Sequence, residues 1–198
     1  MPDLGPTARF DVEEAPDELA LVQALLNTAS VGRFPDLLGE VETAGEWLAA
    51  AGLTAAGSAG AGAAQSAGQS VGRSADAARP TETDLVQLRA FRDELRRLTR
   101  GSGGSTSWSG VAALDLGADG VVELKPGGGA GSASVISKVL SLVFVAQRGD
   151  TWRRLKTCRN ERCQVAFYDR SRNNSGAWHD VKTCGNQANL RAHRERNR

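Results

Sequence analysis

Cysteine and histidine are scarce in this 198-residue chain, which contains three cysteines and two histidines. Aromatic residues make up only 5% of the sequence, and it contains no apolar run long enough to cross a membrane. The amino terminus lacks a basic region followed by an apolar segment, which argues against a secretory signal. We therefore predict a cytoplasmic protein with no membrane partner.

The few cysteines and histidines are concentrated near the carboxyl end. They follow the pattern Cys158-x4-Cys163-x15-His179-x4-Cys184, with His193 nine residues further on. Two short-spaced pairs of sulfur and nitrogen ligands can converge on one tetrahedral ion, which predicts a zinc site. Buried cysteines or a disulfide are the alternatives, but three cysteines leave an odd thiol. His193 is the alternative to His179 as the fourth ligand.

Four protein ligands leave no open coordination position for water. We therefore expect one structural zinc ion, Zn²⁺, and no hydrolytic chemistry at this site. The metal would also supply folding free energy that a short tail with few large apolar residues cannot obtain from a core alone.

The net charge of +1 conceals two parts of opposite charge. Residues 1–150 contain 12 basic and 19 acidic residues, a net charge of −7. Residues 151–198 contain 12 basic and 4 acidic residues, a net charge of +8. A basic tail that contains a metal site indicates a polyanionic partner.

The first 150 residues have the pattern of a mainly helical domain. Apolar spacing predicts helices over residues 17–28, 37–51 and 134–148, and a further helix begins after Thr81, whose side chain can cap it with Asp84. Residues 111–116 and 121–124 flank a turn at Asp119 and Gly120, which predicts a short hairpin. On the helix that begins after Thr81, arginines alternate with acidic residues, which is typical of a helix face exposed to solvent.

Small residues dominate one internal segment. Residues 54–79 include 19 Ala, Gly or Ser residues out of 26, which predicts a low-complexity, disordered insertion. The expected fold class is mainly α with a small β-hairpin (α+β), followed by a structural zinc finger. The expected domains are residues 1–150 and residues 151–198.

Three segments of the tail resemble a known family. They are residues 154–158 (RLKTC), 167–173 (FYDRSRN) and 184–187 (CGNQ). These segments are similar to the CGNR zinc finger at the carboxyl end of bacterial ABATE-domain proteins. Upstream, residues 19–28, 36–38 and 47–53 resemble the ABATE domain itself.

The resemblance implies a stress-induced regulator of transcription that binds DNA through its zinc finger. In that family four cysteines normally hold the zinc, whereas here His179 takes the third position. Three thiolates and one imidazole form an ordinary structural ligand set, so the site should tolerate this change. Gln187 replaces the arginine that ends the family's sequence motif, which removes a positive charge.

Basic residues in the tail are the candidates for contact with nucleic acid. We expect a positively charged helix over residues 188–196, capped by Asn186, with Gly185 at positive φ or close to a ligand sulfur. Asp169 could orient a ligand histidine or pair with an arginine. Phe167, Tyr168 and Trp178 should form a small core. The candidate nucleic-acid-binding residues are Arg170, Arg172, Gln187, Arg191, Arg194 and Arg196.

The leading hypothesis is a transcriptional regulator that binds double-stranded DNA through its zinc finger. The alternative is a zinc-containing module for protein interaction or RNA binding. We expect no enzyme, because the first 150 residues contain no histidine and no Ser-His-Asp pattern is present. The N-terminal domain is the expected site for self-association or a protein partner, and its sequence identifies no small-molecule signal.

Overall fold

The computed structural model describes residues 5–53 and 79–197. The predicted insertion over residues 54–79 lies outside this range except for Arg79. The described chain contains five α-helices and two two-stranded antiparallel sheets. In chain order they are α1 (Leu19–Leu26), α2 (Val41–Ala50), α3 (Glu82–Arg100), β1 (Ala112–Leu116), β2 (Val122–Pro126), α4 (Ser132–Arg148), β3 (Leu155–Thr157), β4 (Ala166–Tyr168) and α5 (Asn186–Arg196).

The predicted fold class, mainly α with a small hairpin and a C-terminal zinc finger, is confirmed. Strands β1 and β2 form the predicted hairpin, with Leu114 paired to Leu124 and Gly120 at a φ of 81° in the turn. The structure adds a second sheet, formed by β3 and β4, and the segment that connects these two strands contains Cys158 and Cys163. These strands are three residues long each, too short for a period-2 pattern to reveal them.

The chain divides into two compact units, and both α3 and α4 contribute residues to each unit. Unit 2 comprises Leu38–Arg89 and Trp108–Ser141. Apolar side chains from α2 and from the first halves of α3 and α4 form its buried core. These residues include Ala44, Trp47, Leu48, Leu85, Leu88, Val135, Ile136 and Val139.

A capping box begins helix α3 within unit 2. The Thr81 hydroxyl accepts a hydrogen bond from the Asp84 amide (3.1 Å), and the Asp84 carboxylate accepts one from the Thr81 amide (2.9 Å). The same carboxylate also accepts from the Ser132 amide (2.7 Å) at the start of α4. Burial disfavours the charged form, but hydrogen bonds to the carboxylate from the Thr81 hydroxyl (2.7 Å) and from the Ser132 and Thr81 amides lower the pKa of Asp84 to about 2.

Unit 1 comprises Met1–Leu37, Ala90–Ser107 and Leu142–Arg198, and it contains the metal-binding tail. Its core consists of apolar side chains from α1, from the second halves of α3 and α4, and from β3 and β4. These residues include Leu19, Val22, Leu25, Leu26, Phe91, Leu95, Leu142, Leu155 and Phe167.

Side-chain amides of Gln23 in α1 and of Asn27, which caps the end of that helix, bind the outer edge of strand β4. Asn27 accepts a hydrogen bond from the Ala166 amide (2.8 Å) and donates one to the Ala166 carbonyl (3.0 Å). Gln23 donates a further hydrogen bond to the same carbonyl (3.3 Å). All three residues are fully or almost fully buried. The amide and carbonyl groups of Ala166 are thus satisfied by side chains from the last turn and C-cap of α1.

The expectation of a solvated arginine face on α3 is wrong for Arg92. This residue is 3% exposed, and its guanidinium contacts both carboxylate oxygens of Asp36, at 2.7 and 2.9 Å. Glu94 on the same helix is also buried and accepts hydrogen bonds from the Ser105 and Thr106 amides. Hydrogen-bond partners outside the helix make it possible to bury these two charged side chains, and helical spacing alone does not reveal such partners.

Among the described residues, no helix combines the length and apolar character needed to cross a bilayer.

One face of the hairpin in unit 2 carries exposed apolar side chains. Leu114, Leu116 and Val122 are 60–73% exposed.

Candidate metal centre

The first cysteine pair lies on a tight turn between β3 and β4. Cys158 follows β3 directly, and its amide donates a hydrogen bond to the Val165 carbonyl (2.9 Å). The Cys163 amide donates to the Asn160 carbonyl (2.9 Å), and Gln164 adopts a left-handed φ of 58°. The Val165 amide then lies 3.5 Å from Cys163 Sγ. This turn brings both sulfurs to the same side of the backbone.

The second ligand pair lies at the start of a helical segment. His179 precedes Asp180, whose carboxylate accepts hydrogen bonds from the Lys182 amide (2.7 Å) and the Thr183 hydroxyl (2.7 Å). Asp180 therefore caps a π-helical turn, Val181–Gly185, that contains Cys184 and continues into α5. The expected cap at Asn186 is wrong, because the helical segment begins five residues earlier.

The four predicted zinc ligands converge on one point. The ligand atoms of Cys158, Cys163, His179 and Cys184 all lie within 4.8 Å of one another. His179 Nδ1 lies 3.3 Å from Cys163 Sγ and 3.6 Å from Cys184 Sγ. Around a tetrahedral zinc ion with ordinary bond lengths, neighbouring sulfur and nitrogen ligands are about 3.5 Å apart. The donor set and its spacing therefore form a site for one structural zinc ion.

The ionisation of the cysteine thiols is also suited to binding a doubly charged metal ion. Cys158 and Cys184 are buried, whereas Cys163 and His179 are half-buried. The hydrogen bond with Cys163 lowers the pKa of the Cys158 thiol to about 4, and the same interaction raises the pKa of Cys163. Sulfurs this close share a proton because two thiolates repel each other. A bound zinc ion supplies the positive charge that allows all three thiols to ionise.

The structure distinguishes between the two candidate histidines. His193 is exposed on α5 and its Nε2 lies 2.9 Å from the Asn197 side chain. Only His179 belongs to the ligand group found among the described residues. The expected ligand set with His179 as its third member is the one that the geometry brings together.

A buried ion pair organises the loop between the two ligand pairs. Asp169 is 4% exposed and accepts hydrogen bonds from Lys156 Nζ (2.6 Å) and from the Ser171 and Gly176 amides (2.9 and 2.7 Å). Burial alone would raise the pKa of Asp169, but these donors hold it well below its ordinary value. Lys156 Nζ also donates to the Asn174 carbonyl (2.7 Å). Asp169 thus pairs with a lysine, and the expected histidine or arginine partner is wrong.

Close packing explains the glycine that follows Cys184. Gly185 has a φ of −64°, so of the two reasons expected for this glycine, positive φ is wrong, and the close approach is to Trp178 and Val181. A β-carbon at this position would lie 3.2 Å from Trp178 Cδ1 and 3.4 Å from a Val181 methyl group. Trp178 packs against a core of Cys158, Phe167 and Cys184. Glycine therefore lets the indole ring approach the metal-bearing turn.

The basic candidate residues occupy different environments. Arg170 is exposed, pairs with Glu13 (2.9 Å), and lies 5.5 Å from the Tyr168 ring centroid. Arg172 is exposed in the loop, whereas Arg194 and Arg196 are exposed on α5. Arg191 is half-buried on the same helix. Apart from Arg170, none of these arginines forms an ion pair with a carboxylate in the described part of the chain.

Gln187 connects helix α5 to the first ligand pair. Its side-chain oxygen accepts a hydrogen bond from the Asn160 amide group (3.2 Å), and the Asn160 carbonyl caps the Cys163 turn. Gln187 is nevertheless exposed. The residue that replaces the family's arginine therefore helps to hold α5 against the metal-bearing turns.

Comparisons with known proteins match two parts of the chain. A family model for the CGNR zinc finger matches residues 154–197. A family model named ABATE, described as a putative stress-induced transcription regulator, matches residues 19–141, more than half of the chain. No curated protein matches the sequence.

Replacing His179 with alanine should weaken zinc binding by more than about 100-fold, because loss of a ligand exceeds the 10–100-fold cost typical of second-sphere changes. A competition titration with a chromogenic chelator measures this affinity. His193→Ala is the matched control and should bind zinc like the unaltered protein. Equal losses in both variants, or a larger loss for His193→Ala, would contradict the assigned ligand set.

Replacing Asp169 with asparagine should destabilise unit 1 by about 3 kcal/mol, because it leaves the Lys156 ammonium group half-buried without its counterion. Urea denaturation of the zinc-loaded protein at pH 7 measures the change. Asp150→Asn removes a carboxylate from an exposed ion pair with Arg153 and should have little effect. Similar midpoints for Asp169→Asn and the unaltered protein would show that the buried pair does not stabilise the loop.

Proposed function

The chain belongs to the ABATE family, and we propose that it is a transcriptional regulator whose C-terminal zinc finger binds double-stranded DNA. The two family matches support a regulatory role. The finer assignment, binding to duplex DNA, comes from the charge and geometry of the finger. Because four protein side chains surround the metal, we assign the zinc a structural and not a catalytic role.

The position of helix α5 is the observation that supports this proposal best. The helix begins two residues after the ligand Cys184, and Gln187 in its first turn is hydrogen-bonded to the other metal-bearing turn. It carries three arginines over eleven residues, within a tail that has 12 basic and 4 acidic residues. A basic helix anchored at a rigid metal centre presents its charges in a fixed arrangement to a phosphate backbone.

The arginines differ in how available they are to phosphates. Arg194 and Arg196 are exposed on α5, and Arg172 is exposed on the loop that Asp169 organises. We assign these three residues the principal phosphate contacts, with Arg191 and Gln187 beside them. Arg170 contributes least, since its guanidinium is already paired with Glu13 and hydrogen-bonded to the Glu14 carbonyl (2.8 Å).

Fluorescence anisotropy of the full chain with a mixed-sequence DNA duplex tests the proposal. Binding should weaken steeply as salt rises, because contacts to phosphates release condensed counterions. Arg194→Gln should weaken binding to all duplex sequences alike and reduce the slope of log K against log salt by about one. A chelator should abolish binding, since the metal holds α5 in place.

Arg148→Gln is the matched control, because Arg148 is an exposed arginine at the end of another helix. It should leave duplex binding and its salt slope unchanged. Preferential binding of single-stranded RNA would favour an RNA-binding module instead. Absence of binding to either nucleic acid, with zinc verified in the protein, would point to a protein-interaction module.

A further inference from the structure

A pocket of about 310 Å³ lies within unit 1, between the end of α3 and the chain that surrounds β3. Leu98 and Arg100 contribute from α3, and Trp152 contributes from the turn that precedes β3. The buried strand residues Leu155 and Thr157 also line it. A volume of this size accommodates a small organic molecule.

Four cationic residues line the pocket, and none of the described residues that line it is acidic. They are Arg100, Arg153, Lys156 and Arg159. Three of them contact acidic residues that lie outside the pocket, with ion-pair distances of 2.6 Å for Lys156, 2.7 Å for Arg153 and 3.8 Å for Arg100. Arg159 is exposed and forms no ion pair with a described carboxylate. Because Asp169, Asp150 and Glu161 each neutralise one of these cations, Arg159 supplies the remaining positive charge at the pocket.

The carbonyl groups at the end of α3 do not cancel this charge. A helix C-terminus repels anions, but its effect falls off within one turn. Here the Leu98 carbonyl accepts a hydrogen bond from Gly101 and the Arg97 carbonyl accepts one from Ser102, each at 3.0 Å. Arg100 occupies the last turn itself, so a cation already faces the negative end of the helix dipole.

The lining also contains apolar surface. Trp152, Leu98 and Leu155 provide one indole and two aliphatic side chains beside the cations. One guanidinium group can donate two parallel hydrogen bonds to two oxygens of a phosphate. The face of an indole ring can stack on another planar ring. A ligand that carries both an anionic group and a planar apolar part uses both kinds of surface.

We propose that this pocket binds a small organic phosphate with a planar ring, such as a nucleoside monophosphate. Arg159 contacts the phosphate, Arg100 assists it from its position beside the Arg159 carbonyl (3.3 Å), and Trp152 packs against the ring. The site lies outside the ligand group of the zinc ion and outside helix α5, so it is a second binding function beside the proposed contact with DNA. Most of the residues that line the pocket belong to the finger, and β3 leads directly into Cys158, so a bound ligand would contact the finger itself.

Isothermal titration calorimetry of the zinc-loaded full chain with adenosine monophosphate tests the proposal. We expect saturable binding at one site, with adenosine and inorganic phosphate each binding at least ten-fold more weakly. Arg159→Glu should weaken binding of adenosine monophosphate at least ten-fold. The variant should fold, because Arg159 is exposed and its backbone amide donates to the Ala177 carbonyl whatever its side chain.

Arg162→Glu makes the same charge change on an exposed residue of the same turn that does not line the pocket. It should leave the affinity unchanged. An equal loss in both variants would show general attraction to the basic tail and overturn the proposed site. So would the absence of saturable binding below about 1 mM.

The phosphate could also come from the DNA backbone, and a competition experiment separates the two sources. If a DNA duplex displaces adenosine monophosphate, the pocket is part of the DNA-binding surface and the assignment to a free small molecule is wrong. If both bind together, the pocket is a separate site. Failure of duplex binding alone would leave this test intact, since calorimetry with adenosine monophosphate does not depend on DNA.

Discussion

Coordination of one zinc ion is the interaction on which the C-terminal finger depends. The finger has a small apolar cluster, in which Phe167 and Trp178 are the large side chains and two of the buried members are the ligands Cys158 and Cys184. Strands of three residues, one π-helical turn and the mostly polar helix α5 bury too little apolar surface to offset the entropy of ordering this segment. Metal binding supplies that free energy because the ligands converge only in the folded chain.

The metal site is also close to the contact between the finger and helix α1. Val165 hydrogen-bonds to both cysteines of the first ligand pair, through its carbonyl to Cys158 and through its amide to Cys163. The next residue, Ala166, is held by the side chain of Asn27 through two buried hydrogen bonds. Each such bond contributes about 1 kcal/mol net, and leaving the partners unpaired costs more. Loss of the metal should therefore weaken the hydrogen bonds between Ala166 and Asn27 at the end of α1.

Local patterns predicted the parts of this structure that are local in sequence. The spacing of Cys158, Cys163, His179 and Cys184 predicted this ligand set because each pair spans a single turn of chain, but the choice of His179 over His193 required the structure. Apolar periodicity and a capping pair at Thr81 and Asp84 located the helices and the start of α3 for the same reason. An aspartate just before a helical turn, such as Asp180, was a signal of the same kind that could have located the true cap.

The contacts that join distant segments could not be read in this way. Asn27 and Ala166 are 139 residues apart, and Arg92 and Asp36 are 56 apart. A buried arginine has the same helical spacing as a solvated one until its partner is known. Lys156 and Asp169 meet only because β3 and β4 pair, and neither strand is long enough to show a pattern. Polar side chains with long-range partners thus determine how the finger is held, and these partners require the three-dimensional structure.

Hydrogen exchange at the Ala166 amide, followed by NMR in the full chain, tests the dependence of the finger on its metal most directly. With zinc bound, this amide should exchange slowly, because it is buried and donates to Asn27. After removal of zinc by a chelator it should exchange near the rate of an unfolded chain, while the amides of α2 in unit 2 keep their protection. Continued protection of Ala166 in verified metal-free protein would show that the finger folds and binds α1 without zinc, and would contradict the account.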